Sequence, residues 1–204
     1  MTEIASKSER TRRRLLAAAV DLFARQGFHG TTTRDLARAA GMSPAAVYVH
    51  YPSKEDLLYK LSLAGHRDTL AVLDAGDDPD LPPAPRLKRL IRVYTHHHAT
   101  RPHLSRVLNY ELAALAPEHS AEVRALRDEI SQRIAQVVST GVTTGAFGTV
   151  DGPAVTMAIL SLNVDIARWF PHRPEVDPDR LADFYADLAL TMVEARDHGR
   201  AVPE

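Results

Sequence analysis

The chain of 204 residues contains no cysteine. It therefore has no disulfide framework, no thiol nucleophile and no cysteine-based zinc site. The first ten residues, MTEIASKSER, lack the apolar segment of a secretory signal, and no run of about 18 apolar residues occurs anywhere. We therefore expect a soluble, cytoplasmic protein without a membrane-spanning segment. The missing cysteine fits a reducing cytoplasm, although many exported bacterial proteins lack it too.

Signatures of catalysis are also missing. The sequence has no Ser-His-Asp order, no glycine-rich phosphate loop, no His-Glu-x-x-His motif and no paired carboxylates. His96, His97 and His98, with His103 nearby, suggest a metal site, but consecutive helical residues point about 100° apart and do not converge on one ion. We predict neither an enzyme, a cofactor nor a metal. A helical hydrolase or transferase, or an adaptor that binds only protein, is the alternative.

A net charge of −1 taken alone argues against a strong nucleic-acid binder, but the charges are distributed unevenly. Residues 1–60 contain ten basic and six acidic side chains, whereas the remaining residues carry a net charge of −5. A basic N-terminal region on an acidic remainder is typical of a modular DNA-binding protein.

Residues 27–58 have the pattern of a helix-turn-helix. Thr32 is a good N-cap, and Asp35 three residues later completes a variant of the capping box. The helix that follows ends at Gly41, a residue type that tolerates the left-handed backbone conformation. Ser43 caps a second helix with Pro44 in its first position, and Pro52 ends that helix. Ser53 then caps a third helix, which has acidic residues in its first turn.

Two short helices joined by a tight glycine turn suit the major groove of DNA, although small helical bundles also contain capped helix pairs. The outward residues of the second helix favour DNA, because a recognition helix presents small and hydrogen-bonding side chains. Its outward residues are Ala45, Ala46, Tyr48 and His50, which alternate with the inward Val47 and Tyr51. We predict that Thr33, Arg34, Tyr48 and Lys54 contact phosphates, with Arg34 also able to reach a guanine. The predicted DNA-binding set is Thr33, Arg34, Ser43, Ala45, Ala46, Tyr48, Val49, His50 and Lys54, of which Ala45, Ala46, Val49 and His50 face base edges.

Helical periodicity continues through the rest of the chain, so we predict an all-α protein of about nine helices. Asp74 to Pro85 is rich in Asp and Pro and is predicted to be a loop. The helix at 153–170 is apolar all round, which indicates packing against its own subunit on one face and another subunit on the other. The predicted helices lie at about 9–26, 32–40, 44–51, 54–73, 86–102, 103–115, 117–144, 153–170 and 179–198.

Arg12, Arg13 and Arg14 lie near the start of the first helix, where they oppose the helix dipole. DNA phosphate and a merely solvated face are the two interpretations of this cluster.

The helix-turn-helix residues also resemble the N-terminal domain of the tetracycline-repressor (TetR) family, in a motif that covers about a quarter of the chain. One departure is Pro44-Ala45-Ala46, where the family often has Lys-Gly-Thr, so a hydroxyl and a lysine are lost there. The resemblance is carried by Phe28, Gly30, Thr32, Arg34, Asp35, Leu36, Ala37, Ala40, Gly41, Ser43, Val47, Tyr48 and the run Tyr51 to Leu58.

The polar residues 1–8 are predicted to form a disordered arm. The resemblance implies a DNA-binding domain at 9–56 and a helical effector-binding and dimerisation domain at 57–204. It further implies a homodimer through helices 153–170 and 179–198, a double-stranded DNA operator and a small-molecule effector. The expected function is that of a ligand-responsive repressor released from a palindromic operator. The stretches GAFG, NVDIARWF and FYADLAL are similar to the subgroup that senses acyl-CoA thioesters, including steroid-catabolism repressors.

Polar side chains within apolar helices are the candidates for an effector pocket, because a buried polar group without a partner is costly. For each of them, a satisfied hydrogen bond in the core or at a subunit contact is the alternative. Arg168 is suited to a ligand phosphate or to Asp165. The candidates are Tyr94, His98, Asn109, Glu111, Asn163, Arg168 and Trp169.

Overall fold

The computed structural model describes residues 7–148 and 151–195. These residues form nine α-helices and two short 3-10 helices, Leu112–Ala114 and Phe170–His172, so the predicted all-α class is confirmed. Within the same residues there is no β-strand, only an isolated bridge between Phe147 and Ala195. The α-helices are α1 (Lys7–Gly30), α2 (Thr33–Ala39), α3 (Pro44–His50), α4 (Lys54–Gly76), α5 (Pro83–Thr100), α6 (Pro102–Tyr110), α7 (Pro117–Thr143), α8 (Gly152–Trp169) and α9 (Pro178–Met192).

Several predicted helix ends differ from the observed ones. The first helix begins at Lys7 rather than at residue 9 and continues to Gly30 across a kink at Gly27, whose φ of 73° is non-helical. Of the arm predicted over 1–8, only Lys7 and Ser8 lie within the described residues, and both are helical. Helix α9 ends at Met192, so residues 193–195 of the last predicted helix are not helical, and its residues 196–198 lie outside the described residues.

The predicted loop from Asp74 to Pro85 was too long. Helix α4 continues to Gly76, and α5 already begins at Pro83. Proline fits the first turn of a helix, where its missing N–H needs no partner, so Pro83 and Pro85 start α5 instead of excluding it. Arg86 also anchors this turn, since its Nε and Nη2 atoms each lie 2.7 Å from an oxygen of Asp77.

The chain divides into two compact units. The head unit contains residues 7–67 together with His103–Leu126, and the body unit contains Asp68–Pro102, residues 127–148 and residues 151–195. Helices α4 and α7 therefore contribute residues to both units. The functional boundary predicted at residues 56–57 stays a prediction.

The head unit is built around one apolar core. It is formed by α1 to α4 together with side chains from α6, the following 3-10 segment and the start of α7. Helices α6 and α7 thus complete the core beneath the helix-turn-helix. Its fully buried members include Leu15, Ala19, Phe23, Leu36, Leu57, Leu58 and Val107.

The body unit packs α5 along α9, with α8 also against α5. Ion pairs follow the α5–α9 seam: Lys88 lies 2.6 Å from Asp187, and Arg92 lies 2.7 Å from Asp183 and 3.1 Å from Asp179. No helix of the described residues is long and apolar enough to cross a membrane. The buried aliphatic residues of the body unit include Leu87, Leu90, Ile91, Ile134, Val137, Ile159 and Ile166.

Candidate nucleic-acid interface

The predicted capping box at the start of α2 is present. The Thr32 hydroxyl accepts a hydrogen bond from the Asp35 amide at 3.1 Å, and the Asp35 carboxylate accepts one from the Thr32 amide at 3.1 Å. Hydrogen bonds from the Thr32 hydroxyl and amide lower the pKa of Asp35 below its usual value. The orientation of α2 is therefore fixed at its first turn.

The turn between α2 and α3 depends on Gly41 and on Arg14. Gly41 has a φ of +63°, as predicted, and the Arg14 guanidinium donates a hydrogen bond to the Ala40 carbonyl at the end of α2. A Cβ atom at Gly41 would lie 2.7 Å from Arg14 Nη2. Arg14 therefore caps α2, a role that neither interpretation of the arginine cluster included.

Helix α3 is presented as the pattern predicts. The Ser43 hydroxyl accepts a hydrogen bond from the Ala46 amide at 3.3 Å, and Pro44 occupies the first turn. Val47 and Tyr51, the residue that follows the end of α3, are both buried, which confirms the predicted inward side of the helix.

The side chains predicted to face DNA lie on the other side of α3. Tyr48 is 54% exposed and Val49 is 80% exposed, and Ala45 is exposed beside them. The Tyr48 hydroxyl lies 3.4 Å from the Thr33 hydroxyl, so these two predicted phosphate contacts share one surface. The rest of the predicted set also reaches solvent: Arg34 and Ser43 are exposed, and Thr33, Ala46, His50 and Lys54 are half-buried.

Lys54 has a structural role that the sequence did not reveal. Its ammonium group donates to the Phe28 carbonyl at 2.6 Å and to the Thr31 carbonyl at 2.7 Å, and it lies 4.1 Å from the centre of the Phe28 ring. Burial lowers the pKa of Lys54. The side chain thus ties the start of α4 to the end of α1 with two of its three N–H groups, and its contact with a phosphate stays a prediction.

Helix α6 and the 3-10 segment after it are tied to the end of α1. Arg106 Nε donates to the Ala24 carbonyl at 3.0 Å, and a Glu111 carboxylate oxygen accepts the Phe28 amide at 2.9 Å. Glu111 therefore holds the backbone beside the kink at Gly27.

The start of α7 is joined to α4 in a similar way. One oxygen of Glu55 accepts the Ala116 amide at 2.9 Å and lies 2.8 Å from His119 Nδ1. The His119 ring stacks on Tyr59 with a centroid distance of 3.7 Å. Acidic residues in the first turn of α4 were predicted for the helix dipole alone, whereas Glu55 also binds a distant backbone amide.

The seven predicted effector residues are divided between the two units. Asn109 and Glu111 belong to the head unit, where Asn109 Nδ2 donates to the Ser105 carbonyl at 2.8 Å. The five others belong to the body unit.

Three of those five are buried. Burial raises the pKa of Tyr94 to about 12, and the His98 ring lies 4.5 Å from the Tyr94 ring. The Asn163 amide oxygen accepts a hydrogen bond from the Thr95 hydroxyl at 2.6 Å, and its Nδ2 donates to the Ile159 carbonyl at 3.0 Å.

The last two predicted effector residues lie at the end of α8. Arg168 is exposed, and its Nε and Nη2 atoms donate to the two oxygens of Asp165 at 2.7 and 2.9 Å. Trp169 packs against a small apolar cluster that contains Ile166 and Leu181. The role of all seven residues in effector binding stays a prediction.

The histidine run points in three directions. His96 Nε2 lies 3.8 Å from Asp179 at the surface, His97 Nε2 lies 3.2 Å from the buried Thr69 hydroxyl, and His98 faces Tyr94. In the part of the chain that the structure describes, no three histidine or acidic side chains are grouped to hold a metal ion.

Helices α8 and α9 leave large apolar side chains at the surface. Met157 is 65% exposed and Phe184 is 63% exposed, and Leu162 is also exposed. Exposed apolar side chains on neighbouring helices are typical of a subunit interface.

Comparison with known proteins places this geometry in a family. Residues 15–61 match the family of "Bacterial regulatory proteins, tetR family", and residues 80–193 match the "Tetracyclin repressor-like, C-terminal domain". The crystal structure of a tetR-family regulatory protein from Rhodococcus RHA1 is 40% identical, with a TM-score of 0.88 over 95% of this chain and 100% of that chain.

Two further relatives differ in how much they share. The transcriptional regulator RutR of Escherichia coli K12 is 36% identical over 132 residues, which are 62% of this chain and 61% of RutR. The chain thus spans about three fifths of the length of that curated relative. The regulator AibR, solved with isovaleryl coenzyme A and operator DNA, is 21% identical with a TM-score of 0.80 over 91% of this chain and 100% of AibR, and shows the fold alone.

The helix-turn-helix and the helical C-terminal region are thus matched together over most of the chain, and the chain belongs to the TetR family of bacterial regulatory proteins.

Proposed function

We propose that this transcriptional regulator is a homodimeric repressor that places α3 in the major groove of a palindromic operator. The observation that carries the proposal is the surface of α3, where Tyr48 and Val49 are largely exposed while Val47 is buried. In a dimer of this kind the two recognition helices reach half-sites roughly 34–36 Å apart. Lys54 and Arg14 support the docking by fixing the helices on either side of α3.

The contacts follow from the chemistry of the exposed side chains. Thr33, Arg34, Tyr48 and the remaining N–H of Lys54 bind phosphates, which position the protein without reading sequence. Ala45, Ala46, Val49 and His50 face base edges, with Ser43 at the start of the helix. The methyl groups of alanine and valine suit the thymine methyl group, and His50 donates to a base or a phosphate.

The second subunit binds through α8 and α9. The exposed Met157, Leu162 and Phe184 support this surface, because an isologous interface buries the same apolar patch of both copies.

The effector binds in the C-terminal helical region and favours a conformation in which the two recognition helices no longer match the half-sites. Such coupling is typically about 1–3 kcal/mol. AibR binds isovaleryl coenzyme A, so an acyl-CoA thioester is one candidate class, with Tyr94, His98 and Asn163 as buried polar contacts. The protein acts in the cytoplasm, where its DNA partner lies, and it acts without catalysing a reaction.

A gel-shift titration tests the DNA contacts, with a fragment of the promoter region beside the protein's own gene. Tyr48→Ala and His50→Ala should each weaken binding about tenfold, which corresponds to roughly 1.4 kcal/mol. Tyr110→Ala is the matched control, since Tyr110 is an exposed tyrosine on α6, and it should leave the affinity unchanged.

Salt dependence separates this function from its alternatives. Affinity should fall steeply as salt rises, because phosphate contacts release counterions. Unchanged affinity in both α3 variants would overturn the docking, and a missing shift at low salt would favour a protein-binding adaptor.

A further inference from the structure

The body unit contains a groove between α7 and α8 of about 500 Å³. This volume falls within the roughly 300–1,000 Å³ that is typical of small-molecule sites. The groove is open to solvent along Gln132, Ser139 and Met157, which are all exposed. None of the seven effector residues predicted from the sequence lines it.

One side of the groove is polar and uncharged. Ser131, Ser139 and Thr143 follow each other on one face of α7 and span about 18 Å at 1.5 Å per residue. The Ser131 hydroxyl donates to the Arg127 carbonyl at 3.0 Å, and the Thr143 hydroxyl donates to the Ser139 carbonyl at 2.9 Å. Because these two protons are used within the helix, the hydroxyl oxygens of Ser131 and Thr143 remain as acceptors for a ligand that donates a hydrogen bond.

The other side is apolar. It is formed by Pro153, Met157 and Leu160 of α8, with Ala135 of α7 opposite. An apolar ligand surface placed here leaves water at roughly 25 cal/mol for each Å² buried.

No ionisable side chain lines the groove among the described residues. An anion bound here would give up part of its hydration without gaining an arginine or lysine partner, which is costly. The phosphates of a CoA thioester therefore find no partner in this groove, whereas a neutral molecule meets no penalty of this kind.

We infer that the groove between α7 and α8 is a binding site for an uncharged, predominantly apolar small molecule that donates a hydrogen bond along one edge. As the site of the effector, it rests on the ligand response proposed above, and it takes the place of the acyl-CoA class and of the three buried contacts given there. Met157 connects the site to that response, because it lines the groove and also lies on the exposed face of α8 that the second subunit covers.

Two probes that differ by one charge test the inference. N-phenyl-1-naphthylamine is uncharged and has one N–H group, and 1-anilinonaphthalene-8-sulfonate is the same skeleton with a sulfonate. The full-length protein should bind the neutral probe at one site per chain and the sulfonate at least about tenfold more weakly, a difference of roughly 1.4 kcal/mol. Fluorescence titration measures both affinities. Equal affinity for the two probes overturns the inference.

Three variants locate the site. Ala135→Trp fills the groove and should weaken the neutral probe about tenfold or more. Met157→Lys places an ammonium group on the apolar side at an exposed position, so it should weaken the neutral probe and strengthen the sulfonate. Thr100→Lys is the control, because it adds an ammonium group at an exposed position of the body unit outside the groove and outside α8 and α9, and it should change neither affinity.

The remaining outcomes are equally decisive. Retention of neutral-probe affinity in both Ala135→Trp and Met157→Lys overturns the site, and Met157→Lys keeps the test valid if Ala135→Trp does not fold. Binding of the neutral probe to a monomeric Phe184→Glu variant, but not to the wild-type protein, shows that a second copy covers the groove and also overturns it. Gel shifts without probe are run in parallel, so loss of the proposed DNA function is recognised separately from loss of the ligand site.

Discussion

The head unit and the body unit differ in the kind of polar interaction that stabilises each of them internally. In the head unit, Lys54, Arg14 and Glu111 each bind a backbone group at the end of a helix. In the body unit, the α5–α9 seam joins exposed side chains of opposite charge, such as Arg92 and Asp183. Side-chain contacts to backbone fix where a helix begins and ends, whereas surface ion pairs constrain geometry weakly. The geometry of the head unit is thus more closely fixed by its polar contacts than that of the α5–α9 seam.

The largest effects are expected from substitutions in the two cores. They test whether the head unit and the body unit unfold separately. Leu36 and Ile91 are both fully buried, the first in the head unit and the second in the body unit. Each substitution by alanine should cost about 2–5 kcal/mol, because it removes apolar contacts and leaves a cavity. The chain has one tryptophan, Trp169, which reports on the body unit.

Thermal unfolding followed by circular dichroism and by Trp169 fluorescence measures the two effects. Leu36→Ala should shift the first signal and abolish operator binding while the fluorescence transition stays in place. Ile91→Ala should shift the fluorescence transition. If both signals shift together in both variants, the two units unfold as one. The head and body units then differ in their polar contacts but not in their stability.

A smaller effect compares the polar contacts directly. Lys54→Met leaves the Phe28 and Thr31 carbonyls without their charged donor and should cost about 2–3 kcal/mol. Arg92→Met removes bonds to two carboxylates on the exposed α5–α9 seam and should cost less than about 1 kcal/mol. Chemical denaturation measures both costs.

Lys54→Arg is the control for charge, and it should retain most of the stability that Lys54→Met loses. A loss for Arg92→Met that equals or exceeds the loss for Lys54→Met would contradict the ranking of the two kinds of contact.

The sequence predicted the family resemblance, the all-α class and the class of DNA-binding regulator, and all three are confirmed. It also predicted the Thr32 cap, the Gly41 turn and the inward Val47, because each depends on residues three to four positions apart. Local spacing carries this information, since capping and helical periodicity are local properties.

The contacts that hold the head unit could not be predicted in the same way. Arg14 and Lys54 each bind a carbonyl 26 residues away in the chain, and Glu111 binds an amide 83 residues away. A sequence pattern shows that such side chains are charged but not which backbone group they meet.

The groove between α7 and α8 was missed for another reason. Buried polar residues were taken as pointers to a pocket, and Asn163 proved to be hydrogen-bonded to Thr95. The groove is formed by small hydroxyl and apolar side chains, which any helix surface contains.

The smallest expected effect is a loss of stability of the body unit as the pH falls. Burial lowers the pKa of His97 below its usual 6.5, an effect that Arg101 reinforces and Asp68 opposes. The folded body unit therefore holds His97 neutral, while the unfolded chain takes up a proton more readily. The stability that depends on the neutral ring is complete above about pH 6.5 and is lost as the pH falls from there through the lowered pKa. The Asp35 cap in the head unit keeps its contribution until the pH falls below 3.8, since the pKa of that carboxyl is lowered.

Acidification from about pH 7 to pH 5 should therefore lower the Trp169 unfolding transition before the Asp35 cap is affected. His97→Gln removes the titrating group and should reduce the difference in stability between the two pH values. His96→Gln is the control on the same helix. His96 faces the surface near Asp179 and makes the smallest contribution to the lowered pKa of His97, so its replacement should reduce that difference less than His97→Gln does. If His97→Gln kept the full wild-type dependence of stability on pH, the acid sensitivity of the body unit would have to come from other groups. The burial of His97 would then make no contribution to stability between pH 7 and pH 5.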